Sequence, residues 1–410
     1  MFKRYAITIK MLSAQIGALL GFSTYAVCLT TLQHEWQLSN FEAGLIASSF
    51  FLGYVLFVPL STVLTDRIDS RKVYLIGSLL AIIGLSGMGF LARGFYTASF
   101  FMLIQGAGLA GTYMPGLKVI SDRVQTGEIT RHISFYTAFF GLGTGLSFLI
   151  AGVLLHHLNW QSAFIFIALG PLSALLIVEF LVKPNNKKSS FKDLALSWND
   201  VLPIKKWKEV LENKKAAFFI LGYTVHSLEL FASRNWLVAY FVFCAAFSGQ
   251  QFLLSATELA AIINLFGVPA SIIGNEIALK IGRRQWVNIV MLTSACIGIL
   301  LGYSSQFNWW LIITLAALHA SFIAADSGTL TAGLVTSSNE NIKGAAMGLH
   351  SLMGFGGGLL GPAIFGFALD LNGSNQIPMS WTWAYFAIVI WSFIFVIYAN
   401  IRPEKSVHTQ

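Results

Sequence analysis

The chain has 410 residues, of which 56% are hydrophobic and 11% charged, with a mean hydropathy of +0.69 and a net charge of +8. A soluble domain carries about 25% charged residues, so this composition excludes one and indicates an all-α polytopic membrane protein. Cys28, Cys244 and Cys296 lie far apart in apolar runs, read as small core residues, and form no redox or metal pattern.

Apolar runs of about 20 residues, the length a helix needs to cross a bilayer, predict twelve spans at 11–32, 41–64, 73–92, 96–119, 134–155, 160–182, 216–246, 254–279, 286–304, 308–334, 343–369 and 380–400. The start, Met1 to Arg4 followed by an apolar run, mimics a signal peptide. The run is too long for a typical signal core, so an uncleaved first helix is expected. All of the 26 Lys and Arg except Arg93, Lys118 and Arg234 fall on one side when the N-terminus is placed inside. Both termini are therefore expected in the cytoplasm.

Segment 183–215 is the long connection, rich in lysine, with a short amphipathic piece at 198–210. It divides the chain into expected units 1–182 and 216–410, joined by a basic cytoplasmic linker lying along the inner membrane surface. The two units repeat one another. Ser39-x-x-Glu42 opens the second span and Ser255-x-x-Glu258 the eighth, each with the pattern of a capping box. Asp66-Arg67 to Arg71 after the second span matches Lys280 to Arg283-Arg284 after the eighth. Gly141-x-Gly143-x-Gly145 matches Gly354-x-Gly356-x-Gly358, and Trp160-x-x-Ala163 resembles Trp381-x-x-Ala384. Four matches in the same order indicate a duplicated six-helix unit.

Twelve spans as 6+6, the basic central loop, the Asp66-Arg67 to Arg71-Lys72 turn and the Gly282-Arg283-Arg284 turn resemble the major facilitator superfamily over essentially the whole chain. The resemblance implies a pseudo-symmetric fold that transports a small solute by alternating access. It also implies a cytoplasmic gating role for Asp66, Arg67, Arg71, Arg283 and Arg284. Thr62 and Asp69 stand where that family usually has glycines. The plainer reading of these charges is inside-facing topology.

The family analogy puts the cavity between the first, fourth, seventh and tenth spans, where buried polar residues collect. The seventh holds His226, Glu229 and Arg234 in one apolar segment. An ionisable group at mid-bilayer costs about 2.5–3.5 kcal/mol on insertion scales, so three of them point to a site. His226 and Glu229 share a face, which lets them share a proton. Arg234 lies roughly 80° from His226 and 140° from Glu229 on an ideal helix, which disfavours a direct pair with the glutamate unless the helix breaks. His319 and Asp326 share a face of the tenth span. In the fourth, Gln105 begins a glycine-rich run resembling the family's helix 4 motif, with Met102 in the usual arginine place. Lys118 either binds an anion or pairs with Asp122. Tyr25 comes from the first span, which supplies no charge.

These residues suggest a small organic anion or zwitterion carried with protons. The alternatives are a proton-driven exporter of amphipathic compounds, disfavoured by the missing exporter acid in the first span and exporter motif in the fifth, and a non-transporting membrane sensor. No Walker loop, zinc-protease motif or nucleophile elbow is present, so an enzyme is not expected. No cofactor, metal or nucleic-acid partner is implied. The expected partners are the substrate, protons and the lipid bilayer, for a monomer in the plasma membrane, a bacterial inner membrane.

Overall fold

A computed structural model describes residues 2–124, 129–185, 197–249, 252–339 and 341–401. Residues 186–196 of the linker, and the terminal Arg402 and Lys405, lie outside these. The described residues form helices joined by short turns. Span 1 is Phe2–Leu19 followed by Thr24–Trp36, span 2 Asn40–Arg67, span 3 Ser70–Leu91, span 4 Phe95–Ser121, span 5 Ile129–His157, and span 6 Trp160–Ile167 with Leu169–Leu181. Span 7 is Lys214–Ser248, span 8 Ala256–Ile281, span 9 Arg283–Tyr303, span 10 Trp309–Ala324 with Ser327–Ser337, span 11 Lys343–Leu371 and span 12 Pro378–Ile401.

By length and apolarity, 11 of these stretches suffice to cross a membrane. Span 4 is not among them, because Gln105, Thr112 and its glycines dilute an otherwise apolar helix. It packs along both span 2 and span 3, so it completes the expected set of twelve.

The repeat seen in the sequence recurs in the packing. Span 1 lies against 5 and 6, 2 against 4, and 3 against 4 and 6. In the second half 7 lies against 11 and 12, 8 against 10, and 9 against 10 and 12. Both capping boxes are formed. Ser39 and Ser255 accept the backbone N–H of Glu42 and Glu258, whose carboxylates accept the Ser N–H in return. Large apolar side chains such as Leu56, Phe180, Ile272 and Ile397 remain exposed around the outside, as lipid contact requires. Cys28 and Cys244 are buried as expected, but Cys296 is exposed on that surface. An apolar run cannot distinguish a lipid-facing position from a core one.

Three seams join the halves: span 2 on 11, span 5 on 8, and the second part of span 1 on span 7. At the end of the first seam near the N-terminus of span 2, a Cβ on Gly44 would stand 2.3 Å from the Pro362 carbonyl oxygen, so only glycine permits that approach. There the Asp370 carboxylate accepts hydrogen bonds from Asn40 N–H, Asn40 Nδ2 and Phe41 N–H, closing the start of span 2 on the end of span 11.

Three spans are interrupted: span 6 only at Ala168, whose N–H still reaches the Phe164 carbonyl, and spans 1 and 10 at breaks that side chains satisfy, as backbone at membrane depth demands. In span 1, Gln105 Nε2 donates to the Gly21 carbonyl, while Ser147 accepts the Ser23 N–H and donates to the Leu20 carbonyl. In span 10 the chain turns at Ala325–Asp326, and Trp286 Nε1 donates to the Ala325 carbonyl. Span 7 runs unbroken through Arg234.

Candidate functional site

Spans 7 and 10 run antiparallel, which sets His226 beside Asp326 and Glu229 beside His319. His226 Nδ1 stands 2.7 Å from Asp326 Oδ1, near enough for an ion pair though off the line of a straight hydrogen bond. His319 Nε2 stands 3.1 Å from Glu229 Oε1, and Ser392 of span 12 donates to Glu229 Oε2 at 2.9 Å. Each span thus supplies one acid and one imidazole, and each pair crosses between the spans. His226, Glu229, His319 and Asp326 are all buried, at 4%, 2%, 1% and 1% exposure. Carboxylates so buried are tolerable only when paired or protonated. In either pair one proton can rest on the oxygen or on the nitrogen.

Arg234 is not drawn into either pair. Its side chain lines a cavity between the halves, and its Nε has no hydrogen-bond partner among the described residues. Neither does the buried Nδ2 of Asn235, which lines the same cavity. The walls are apolar: Phe22, Phe50, Phe51 and Phe231 meet there, with Phe51 and Phe231 centroids 4.6 Å apart. Arg234 also borders a second cavity toward spans 8 and 10. Its neighbour Ser233 lies 3.5 Å from His319 Nδ1, so one residue separates the guanidinium from the Glu229–His319 pair.

The remaining predicted residues sit elsewhere. Tyr25 lines the cavity, but its hydroxyl is committed to the Ala43 carbonyl. Gln105 is committed to the break in span 1. Lys118 lies near the C-terminal end of span 4, 3.2 Å from Asp122 and 3.7 Å from Asp66, which is the pairing rather than the cavity alternative. Arg67 pairs with Asp200 of the linker at 2.6 Å. Arg71 pairs with Glu179 at 2.5 Å, Arg283 donates to Thr336, and Arg284 donates to the Ala399 carbonyl and stacks over Phe218. Each of these contacts stays within one half or reaches the linker.

Sequence reasoning missed Asn235, Ser392, Asp69 and Asp200. Asp69 occupies a usual glycine place in the turn after span 2. It is nearly buried and accepts from the N–H of Arg71 and of Asn185 and from Arg123 Nη2. Burial raises its carboxyl, and these hydrogen bonds and the Arg123 charge outweigh that, holding it below the ordinary carboxylate value.

The profile of the Major Facilitator Superfamily matches residues 11–274. The chain belongs to the Major Facilitator Superfamily. It is 25% identical over 396 residues, 90% of this chain and 82% of the relative, to the voltage-gated purine nucleotide uniporter of Mus musculus. It is 26% identical over 164 residues to a probable sphingolipid transporter of Arabidopsis thaliana, a match spanning 40% of this chain and 33% of that protein. Among solved structures, the nucleoside transporter NupG superposes with a TM-score of 0.73 at 16% identity, covering 95% of this chain and 98% of that one. The last likeness bears on the fold alone. This superfamily member is accordingly a multi-pass membrane protein of a transporter family.

Proposed function

We propose that this protein carries a small organic anion or zwitterion across the membrane by alternating access, coupled to protons. The two crossed acid–imidazole pairs, beside a cation with no acid partner among the described residues, carry this reading. Arg234 takes the anionic group of the substrate. Glu229–His319 and His226–Asp326 hold the coupled protons, and Ser233 links the two functions. Units 1–182 and 216–410 rock about the seams, with 183–215 as the cytoplasmic linker. Asp66, Arg67, Arg71, Arg283 and Arg284 gate the cytoplasmic side, each braced within its own half or against the linker. The protein works as a monomer in a bacterial inner membrane with both termini in the cytoplasm.

A second reading rests on the charge of Arg234, unpaired among the described residues, and on the voltage-gated uniporter among the relatives. An anion bound at Arg234 would then move down the membrane potential without protons. Flux into proteoliposomes separates the two. A pH gradient at zero potential should drive accumulation under the first reading, and a potassium diffusion potential alone under the second. No flux of any anion or zwitterion under either force would sink both.

A further inference from the structure

The cavity beside Arg234 narrows the class of solute. The free space there is small, about 30 Å³, room for one or two waters, so a solute enters only as the walls part and its class is read from the groups that line the space. Its polar equipment is sparse. The hydroxyls of Ser23 and Tyr25 are already spent on the Thr144 and Ala43 carbonyls. Among the described residues that leaves two buried donors with no partner, Arg234 Nε and Asn235 Nδ2, on adjacent residues of one helix. Asn235 is 8% exposed, so an unmatched amide there is a group waiting for an acceptor. Two neighbouring donors, one of them cationic, match the two oxygens of a single carboxylate.

Everything else the solute would touch is apolar and largely aromatic. Phe22 meets Phe50 edge-on at 5.4 Å and Phe231 at 6.0 Å, and Phe231 meets Phe51 at 4.6 Å. Such rings accept another flat ring edge-on or offset, with a gain beyond the area buried. A sugar acid would strand its hydroxyls against them. A nucleotide or dicarboxylate would bring at least two negative charges to one guanidinium.

From this juxtaposition we infer that the substrate is a planar aromatic monocarboxylate, its carboxylate held by Arg234 and Asn235 and its ring among Phe22, Phe50, Phe51 and Phe231. The inference rests on the anion-transport reading and makes it narrower. The test uses the purified full-length protein in nanodiscs, with binding followed calorimetrically for benzoate, cyclohexanecarboxylate, benzamide, terephthalate and glucuronate. Benzoate should bind best. Cyclohexanecarboxylate should bind roughly two- to tenfold more weakly for want of ring–ring contact. Benzamide should bind about tenfold more weakly for want of charge. Phe51→Leu should narrow the gap between benzoate and cyclohexanecarboxylate. Asn235→Ala should weaken both carboxylates and leave that gap unchanged.

Equal affinity for the flat and the saturated ring overturns the inference, as does preference for glucuronate or terephthalate, or no binding of any probe. In those cases pH-driven proteoliposome uptake of some other anion keeps the wider reading alive. Absence of any anion flux removes both.

Discussion

Glu229→Gln isolates the coupling role of one buried pair. The glutamine keeps the side-chain shape, can accept from His319 and can donate to Ser392, so both neighbours at 3.1 and 2.9 Å keep a partner. What disappears is the exchangeable proton. Leaving a buried charge alone costs about 3–5 kcal/mol, but the imidazole avoids this by staying neutral, so the variant should fold and melt close to wild type. One pH unit stores about 1.4 kcal/mol per proton, a tenfold accumulation for each proton coupled. In proteoliposomes alkaline inside by one unit, the wild type should therefore concentrate its anion at least about tenfold. The variant should settle near equal concentrations while still exchanging labelled for unlabelled solute. Wild-type accumulation by the variant would refute the assignment. So would loss of exchange in a well-folded variant, which would make Glu229 part of the substrate site instead.

Asp370→Ala removes an acceptor serving three donors where span 2 meets span 11. Hydrogen bonds to a charge contribute about 1.5–3 kcal/mol when buried and less at this exposed rim. A cysteine at Ala47 on the cavity wall, in a background without Cys28, Cys244 and Cys296, should then react several-fold faster with an impermeant thiol reagent added on the Asp370 side of the membrane. Unchanged labelling would remove Asp370 from the closure of that end. Asp69 is held below its ordinary value of 3.8, so its contribution to stability is full well above that pH. The contribution is lost as pH falls through 3.8 and below. Asp69→Asn should flatten melting temperature against pH in that range, and an unaltered acid limb would contradict the assignment. Gly357→Ala and Gly356→Ala form a matched pair. A methyl at Gly357 would stand 2.1 Å from the Thr224 carbonyl oxygen, whereas Gly356 faces open space. The first should lose about 1–3 kcal/mol and the second almost nothing; equal melting points would show that spans 7 and 11 can separate freely there.

Hydropathy, basic-residue bias and repeated caps were enough to establish the helices, their number and the duplication, because a bilayer imposes length and polarity on each span separately. The capping boxes at Ser39 and Ser255 were legible for the same local reason. The ionisable cluster was visible too, since His226, Glu229, Arg234, His319 and Asp326 each violate the apolar rule for a span. Their partners were not. Helical periodicity put His226 and Glu229 on one face and suggested that they share a proton, but a face says nothing of what packs against it. Only the antiparallel docking of span 10 set each beside a group of the other span. Gln105 read as a cavity residue until the break in span 1 supplied the carbonyl it holds, and Asn235, uncharged, left no mark on the hydropathy profile. Sequence alone determined which residues are out of place in a membrane. Tertiary structure decided which of them satisfy each other and which, like Arg234, are left facing a cavity, because pairing depends on distances between helices that no single helix encodes.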